Sequence, residues 1–224
     1  MSNIFSFSVG KKLIMSLMGL FLIAFLVVHL GINLTLIFCD TTDNFNIAAN
    51  FMGTNIVVKV MEITLFGGFF LHIIYGLILS IQNMIARPVN YKVANNSQTS
   101  FFSKYMFHTA VIIGIFLVLH LFDFYIKAKF LHGAESVIIN GEEMHDLGAL
   151  VIERFQILWV DIVYIVALLG LAFHLHHGFQ SAFQTIGLNH PVYTPIVKGL
   201  GLAYTILVPL GFILIPVIIY IQHS

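Results

Sequence analysis

Five apolar stretches, running approximately over 13–38, 60–85, 105–126, 155–183 and 199–221, leave this chain one solvent in which to fold. At about 1.5 Å of rise per residue, each is long enough to cross a hydrocarbon layer of roughly 30 Å as a helix. In lipid a backbone must satisfy its own N–H and C=O groups, so a helix is the conformation to expect of each. Composition agrees: 59% of the 224 residues are hydrophobic and 9% are charged, with a mean hydropathy of +0.97. A water-soluble bundle would show polar faces at helical spacing, and these segments are apolar nearly all round. The expectation is an all-α integral membrane bundle of five transmembrane helices, with 1–224 forming one transmembrane domain and loops too short for a separate soluble one. The first stretch follows Lys11 and Lys12 but is much longer than the apolar core of a signal peptide, and it reads as a retained helix. Cys39 is the only cysteine, which excludes an intrachain disulfide, and there is no Cys-x-x-Cys-His site for covalent haem attachment.

The ten basic and ten acidic residues cancel, so net charge singles out no partner, and nucleic acid is not expected to be one. Their distribution along the chain is uneven. With the N-terminus cytoplasmic, Lys11, Lys12, Arg87, Lys92, Lys104 and Lys198 all fall on the inner side, and no acid falls there. Asp40, Asp43, Glu62, Asp123, Glu135, Glu142, Glu143, Asp146, Glu153 and Asp161 fall outside or near outer helix ends, with only Lys59, Lys127, Lys129 and Arg154. By the positive-inside rule the chain has its N-terminus in and its C-terminus on the outer side.

Ionisable groups at membrane depth are costly, and they usually mark function. His29, His72, His120 and His174 each lie deep in one of the first four apolar segments, while the fifth has no deep histidine. Imidazole is an axial ligand of haem iron, so four such residues on four helices suggest two bis-histidine haems. A single histidine could as well hydrogen-bond a neighbouring helix. Depth suggests how the four pair. His29 lies 17 residues after Lys12 and His120 lies 16 after Lys104, both counted from the inner boundary. His72 lies 13 after Lys59 and His174 lies 13 after Asp161, both counted from the outer boundary, which brings this pair nearer the cytoplasm. Gly68 and Gly76 flank His72 at four residues, and Gly170 and Gly178 flank His174 in the same way. Residues four apart share a helix face, so these glycines either leave room for a flat macrocycle or serve bare helix contact.

Other polar residues compete for attention. His177, three residues from His174, is the rival ligand; His176 points elsewhere, His108 lies near the inner interface, and His132, His145, His190 and His223 fall in loops or at the end. Glu62 is expected in the first turn of the second helix, where the dipole favours a carboxylate. Asp123 and Asp161 lie near outer helix ends, where they either mark the interface, the preferred reading, or move protons to a quinone. Lys59, Lys127 and Arg154 are available to haem propionates, though the charge rule leaves some outer cations in any case.

The stretches "SVGKKLIMSLMGLFLIAFLVVHLGINL", "MEITLFGGFFLHIIYGL", "FLVLHLFDFY" and "LAFHLHHGFQSAFQTIG" each contain one of the four deep histidines. Over most of its length the chain resembles the cytochrome b membrane-anchor subunits of succinate dehydrogenase and fumarate reductase, of the single-chain, five-helix, di-haem type. The resemblance implies two haem b groups, with His29 and His120 as the distal pair of axial ligands and His72 and His174 as the proximal pair. It also favours His174 over His177, because "FHLHHG" is similar to the family's fourth-helix ligand region. It further implies a flavoprotein subunit with FAD and an iron-sulfur subunit on the cytoplasmic face of the inner membrane. Electrons would pass between succinate or fumarate and a quinone, by implication menaquinone, with no dicarboxylate chemistry and no catalytic residue on this chain. One departure stands out: where some members carry a proton-bearing glutamate two residues before the fourth-helix ligand, this chain has Ala172. Two other readings of the histidines remain, a membrane transporter or channel for metal ions or protons, and the cytochrome b of another respiratory dehydrogenase or hydrogenase.

Overall fold

The computed structural model describes residues 8–85, 105–131, 133–188 and 190–223. Arg87, Lys92, Lys104 and His132 lie outside them. Among the described residues five helices are long and apolar enough to span a membrane: α1 (Ser8–Phe38), α3 (Ile56–Ile85), α4, α6 (Leu158–Thr185) and α7 (Tyr193–His223). Helix α4 starts as Met106–His120, continues through a π turn over Leu121–Ile126, and ends in a last α turn, Lys127–Lys129. The helices outrun the apolar stretches at 13–38, 60–85, 105–126 and 199–221, because hydrogen bonding continues past the point where apolar composition stops. The stretch at 155–183 is corrected in the opposite sense. Phe155 belongs to a separate helix, and the chain breaks at Gln156 and Ile157 before α6 begins.

Three short elements gather at one end of the bundle, where α1, α4 and α7 finish and α3 and α6 begin. They are α2 (Asp43–Thr54), a two-stranded hairpin of β1 (Ser136–Ile139) and β2 (Glu142–His145), and α5 (Leu147–Phe155). The hairpin turn places Asn140 and Gly141 at φ 54° and 83°, the left-handed pair that a tight antiparallel connection demands. Under this cap lies a core of Leu36, Phe45, Val151, Phe155, Val160, Tyr164, Ile215 and Ile219, drawn from α1, α2, α5, α6 and α7. Elsewhere the helices turn large apolar side chains outward, such as Val28, Ile63, Phe70 and Leu207, as lipid-facing helices do.

The spanning helices do not all pack on one another. Helix α1 runs along α3, α6 and α7; α4 packs along α6; and α6 packs along α7. Neither α1 with α4 nor α3 with α6 shows extended backbone packing among the described residues. Helix α7 continues through Pro209 and Pro216, both of which are buried.

Asn46 ties the cap together. It is 1% exposed, its amide donates to Asp146 Oδ1 at 2.9 Å, and its oxygen accepts from the Gly148 N–H at 2.8 Å. Asp146 in turn caps α5 by accepting from Ala149 N–H. An added Cβ at Gly148 would lie 2.6 Å from Thr42 Cβ, so α2 and α5 approach at glycine distance. Asn46→Ala strands the Gly148 N–H in a buried site and is expected to cost about 2 kcal/mol, read as a lowered thermal midpoint in detergent.

Candidate functional site

The four deep histidines meet in two pairs, and each pair spans helices that do not pack closely. His29 on α1 faces His120 on α4 with ring centroids 5.8 Å apart and planes at 85°. His72 on α3 faces His174 on α6 at 6.3 Å and 74°. An imidazole nitrogen binds a first-row metal at about 2 Å, which sets two opposed imidazole centroids roughly 6 Å apart. The observed separations fit such an arrangement. Two imidazoles that share one axis can hold their planes at any mutual angle, so the near-perpendicular planes are compatible with it.

Hydrogen bonding fixes the tautomers of the pair farther from the cap. His72 Nδ1 lies 3.3 Å from the Met15 carbonyl oxygen, which can only accept, so Nδ1 carries the proton and Nε2 keeps its lone pair. Thr109 spends its hydroxyl proton on the Met106 carbonyl at 2.9 Å, so its oxygen accepts from His174 Nδ1 at 3.4 Å. His174 Nε2 then also keeps its lone pair. Backbone and hydroxyl acceptors on the far ring nitrogen are the usual supports of ligating histidines, holding the ring and raising its basicity. The capped pair differs. Asn33 donates to the His29 backbone oxygen at 2.8 Å and only weakly, at 3.5 Å, to His29 Nδ1. His120 Nδ1 is buried with no hydrogen-bond partner among the described residues. Aromatic rings line this pair: Phe25 stacks on His29 at 5.2 Å, Phe116 on His120 at 5.6 Å, and Phe212 lies 5.5 Å from His29.

The flanking glycines face neighbouring helices. A Cβ at Gly68 would meet Phe21 and Met18 of α1, and one at Gly76 would meet Met15 at 4.0 Å. Gly170 faces Ile112 and Gly178 faces Met106, both on α4. Gly19 on α1 sits closest to a histidine, since a Cβ there would lie 3.4 Å from His72 Cε1. No spacing in the sequence points to Gly19, Met15 or Thr109, because their partners lie dozens of residues away. His177 bonds Ser181 at 3.2 Å on its own helix, and His108 rests between Tyr105 and Phe107.

Three acids differ from their expected settings. Glu62 lies beyond the first turn of α3, which begins at Ile56, and its carboxylate accepts from Tyr125 and from Lys129 at 2.7 Å, pinning α3 to the end of α4. The Lys129 to Glu62 bridge is partly exposed and contributes little by itself. Asp123, expected at an interface, is buried within the π turn. It pairs with Arg154 at 2.9 Å and accepts from Tyr164 at 3.1 Å, so Arg154 is already engaged. Asp161 is 3% exposed in the first turn of α6, and neither carboxylate oxygen has a hydrogen-bond partner among the described residues.

A buried carboxyl without a partner bears its desolvation cost uncompensated, and leucine has nearly its shape. Asp161→Leu is therefore expected to raise unfolding stability by about 1–3 kcal/mol. Thermal unfolding in detergent reads the change, and destabilisation would reveal a polar partner for the native carboxyl. Compared with protein-family models, curated proteins and solved structures, the chain finds no match, and the chemistry of the site rests on its own residues.

Proposed function

We propose that this chain is a membrane cytochrome b that holds two haem b groups, one between His29 and His120 and one between His72 and His174, and passes electrons to or from a membrane quinone. The observation that carries the reading is the pairing itself: two imidazole pairs, each bridging two helices without close backbone packing. The donor chemistry supports it. Each facing pair brings two imidazoles. A bare transition-metal ion takes about four protein ligands in a closed site, or three with one position open. Haem iron takes four ligands from its macrocycle and needs two from the protein. The proton positions on His72 and His174 leave two Nε2 lone pairs of the kind an axial ligand supplies.

Bound haem would supply one-electron chemistry in a dry interior. The chain's own residues hold and shield it. Met15 and Thr109 orient one ligand pair, the Phe25, Phe116 and Phe212 rings keep water from the other, and Glu62 with Tyr125 and Lys129 joins α3 to α4. A transporter that steps ions between histidines calls for broken helices near the midplane, whereas α1, α3, α6 and α7 run unbroken.

The resemblance to the anchor subunits of succinate dehydrogenase and fumarate reductase gives this cytochrome its partners. They are a flavoprotein with FAD and an iron-sulfur subunit docked on the cytoplasmic face, with menaquinone as the quinone. The charge asymmetry orients the chain with its N-terminus in and the capped end outside. Haem analysis of the purified protein tests the reading: alanine at any of the four histidines removes about one haem per chain. His29→Ala with His120→Ala together loses no more than either alone, and the same holds for His72 with His174. Full haem content in all four variants would overturn the assignment. Orientation has its own test, since Cys39, partly exposed at the end of α1, is the only thiol. A membrane-impermeant maleimide added to intact cells or spheroplasts is expected to label it, and labelling only of inverted vesicles would reverse the topology.

A further inference from the structure

We infer that Asp123 and Arg154, fixed by Tyr164, form an electrostatic device that sets the reduction potential of the iron held at the His29 and His120 site. The inference rests on the haem reading above and goes beyond it in naming what tunes one haem independently of the other. Helix α4 leaves α-helical bonding at the residue after His120 and closes a π turn over Leu121–Ile126. Such turns are uncommon and cluster at functional sites. In a regular helix, residues three apart share a face, so Asp123 would point where His120 points, toward α1. Here His120 meets His29 on α1 and Tyr164 of α6, while Asp123 meets the same Tyr164 and Arg154 of α5. The charge thus lies within one turn of the ligand and shares Tyr164 with it.

Tyr164 links the two directly. Its hydroxyl donates to Asp123 Oδ2 at 3.1 Å, and its ring lies 6.1 Å from that of His120 and 4.9 Å from that of Phe116. Asp123 is 7% exposed, and the Arg154 side chain is mostly covered, leaning on Trp159 at 5.4 Å. Charges in so dry a setting are poorly screened by solvent or salt and act strongly on a neighbouring centre. The carboxylate favours the more positive, oxidised iron, and the guanidinium favours the reduced iron. Among the described residues neither ion pair touches the second histidine pair, whose rings are held by Met15 and Thr109.

Potentiometric titration of the haem-loaded protein tests this through a readout that is not activity. Asp123→Asn leaves Arg154 unopposed and is expected to shift the His29/His120 haem toward reduction by roughly ten-fold in its equilibrium, about 59 mV upward for one electron. Arg154→Gln is expected to shift it downward by a similar factor, and the other haem should move much less in both. If Asp123→Asn fails to assemble, the neutral double variant is compared with Arg154→Gln, and restoring the potential upward is the expected sign. A purely structural pair would move both variants in one direction, or neither. Either result, or equal shifts at both haems, overturns the inference. Absence of haem from the unsubstituted protein would overturn the cytochrome reading instead.

Discussion

An imidazole inside a bilayer is costly without a partner, and this bundle gathers four of them into two facing pairs. Each nitrogen left bare in hydrocarbon costs free energy that nothing else in the helix recovers. His72 and His174 meet this through Met15 and Thr109, and all four histidines face one another in two pairs, at 5.8 Å and 6.3 Å, across helix pairs whose backbones stay apart. Close packing then falls to other combinations. Helix α1 lies on α3, α6 and α7, and Tyr204 of α7 donates to the Ile23 carbonyl of α1 at 2.7 Å. What remains between α1 and α4, and between α3 and α6, is bridged by side chains alone.

The two pairs are not equivalent, and the difference originates in their surroundings. Far from the cap, polar partners come from the helices themselves: a carbonyl on α1 and a threonine on α4 settle the protons of His72 and His174. Near the cap, His120 Nδ1 lacks such a partner, and the charges lie one step further out, in Asp123, Arg154 and Tyr164. Breaking that buried ion pair from one side would cost about 3–5 kcal/mol, which is why it also anchors α5 against α4 and α6. The same residues thus hold the cap and charge the neighbourhood of one histidine pair.

Hydropathy made the five spanning helices legible, because lipid exposure acts on every residue of a helix and leaves a local trace. It did not mark where helical hydrogen bonding begins and ends. Tyr193 to Lys198 are helical yet polar enough to interrupt the apolar run, and the apolar string from Phe155 to Val160 conceals the break between α5 and α6. The pairing of the histidines was legible in their spacing along the chain from Lys12, Lys104, Lys59 and Asp161. The glycines were legible as a pattern only, and their facing partners on α1 and α4 were not. Long-range polar contacts left no signal at all. Asp123 to Arg154 and Glu62 to Lys129 join residues that read separately as interface charges, and Asp161, read in the same way, is buried without a partner.

The central claim is that the two histidine pairs are axial ligand sets. Its most direct measurement is the haem content and low-temperature electron paramagnetic resonance of the unsubstituted protein, purified from membranes with its attached subunits. The account predicts two haem b per chain, both low-spin and six-coordinate when oxidised. A folded protein without haem, or with a single high-spin haem, would contradict it.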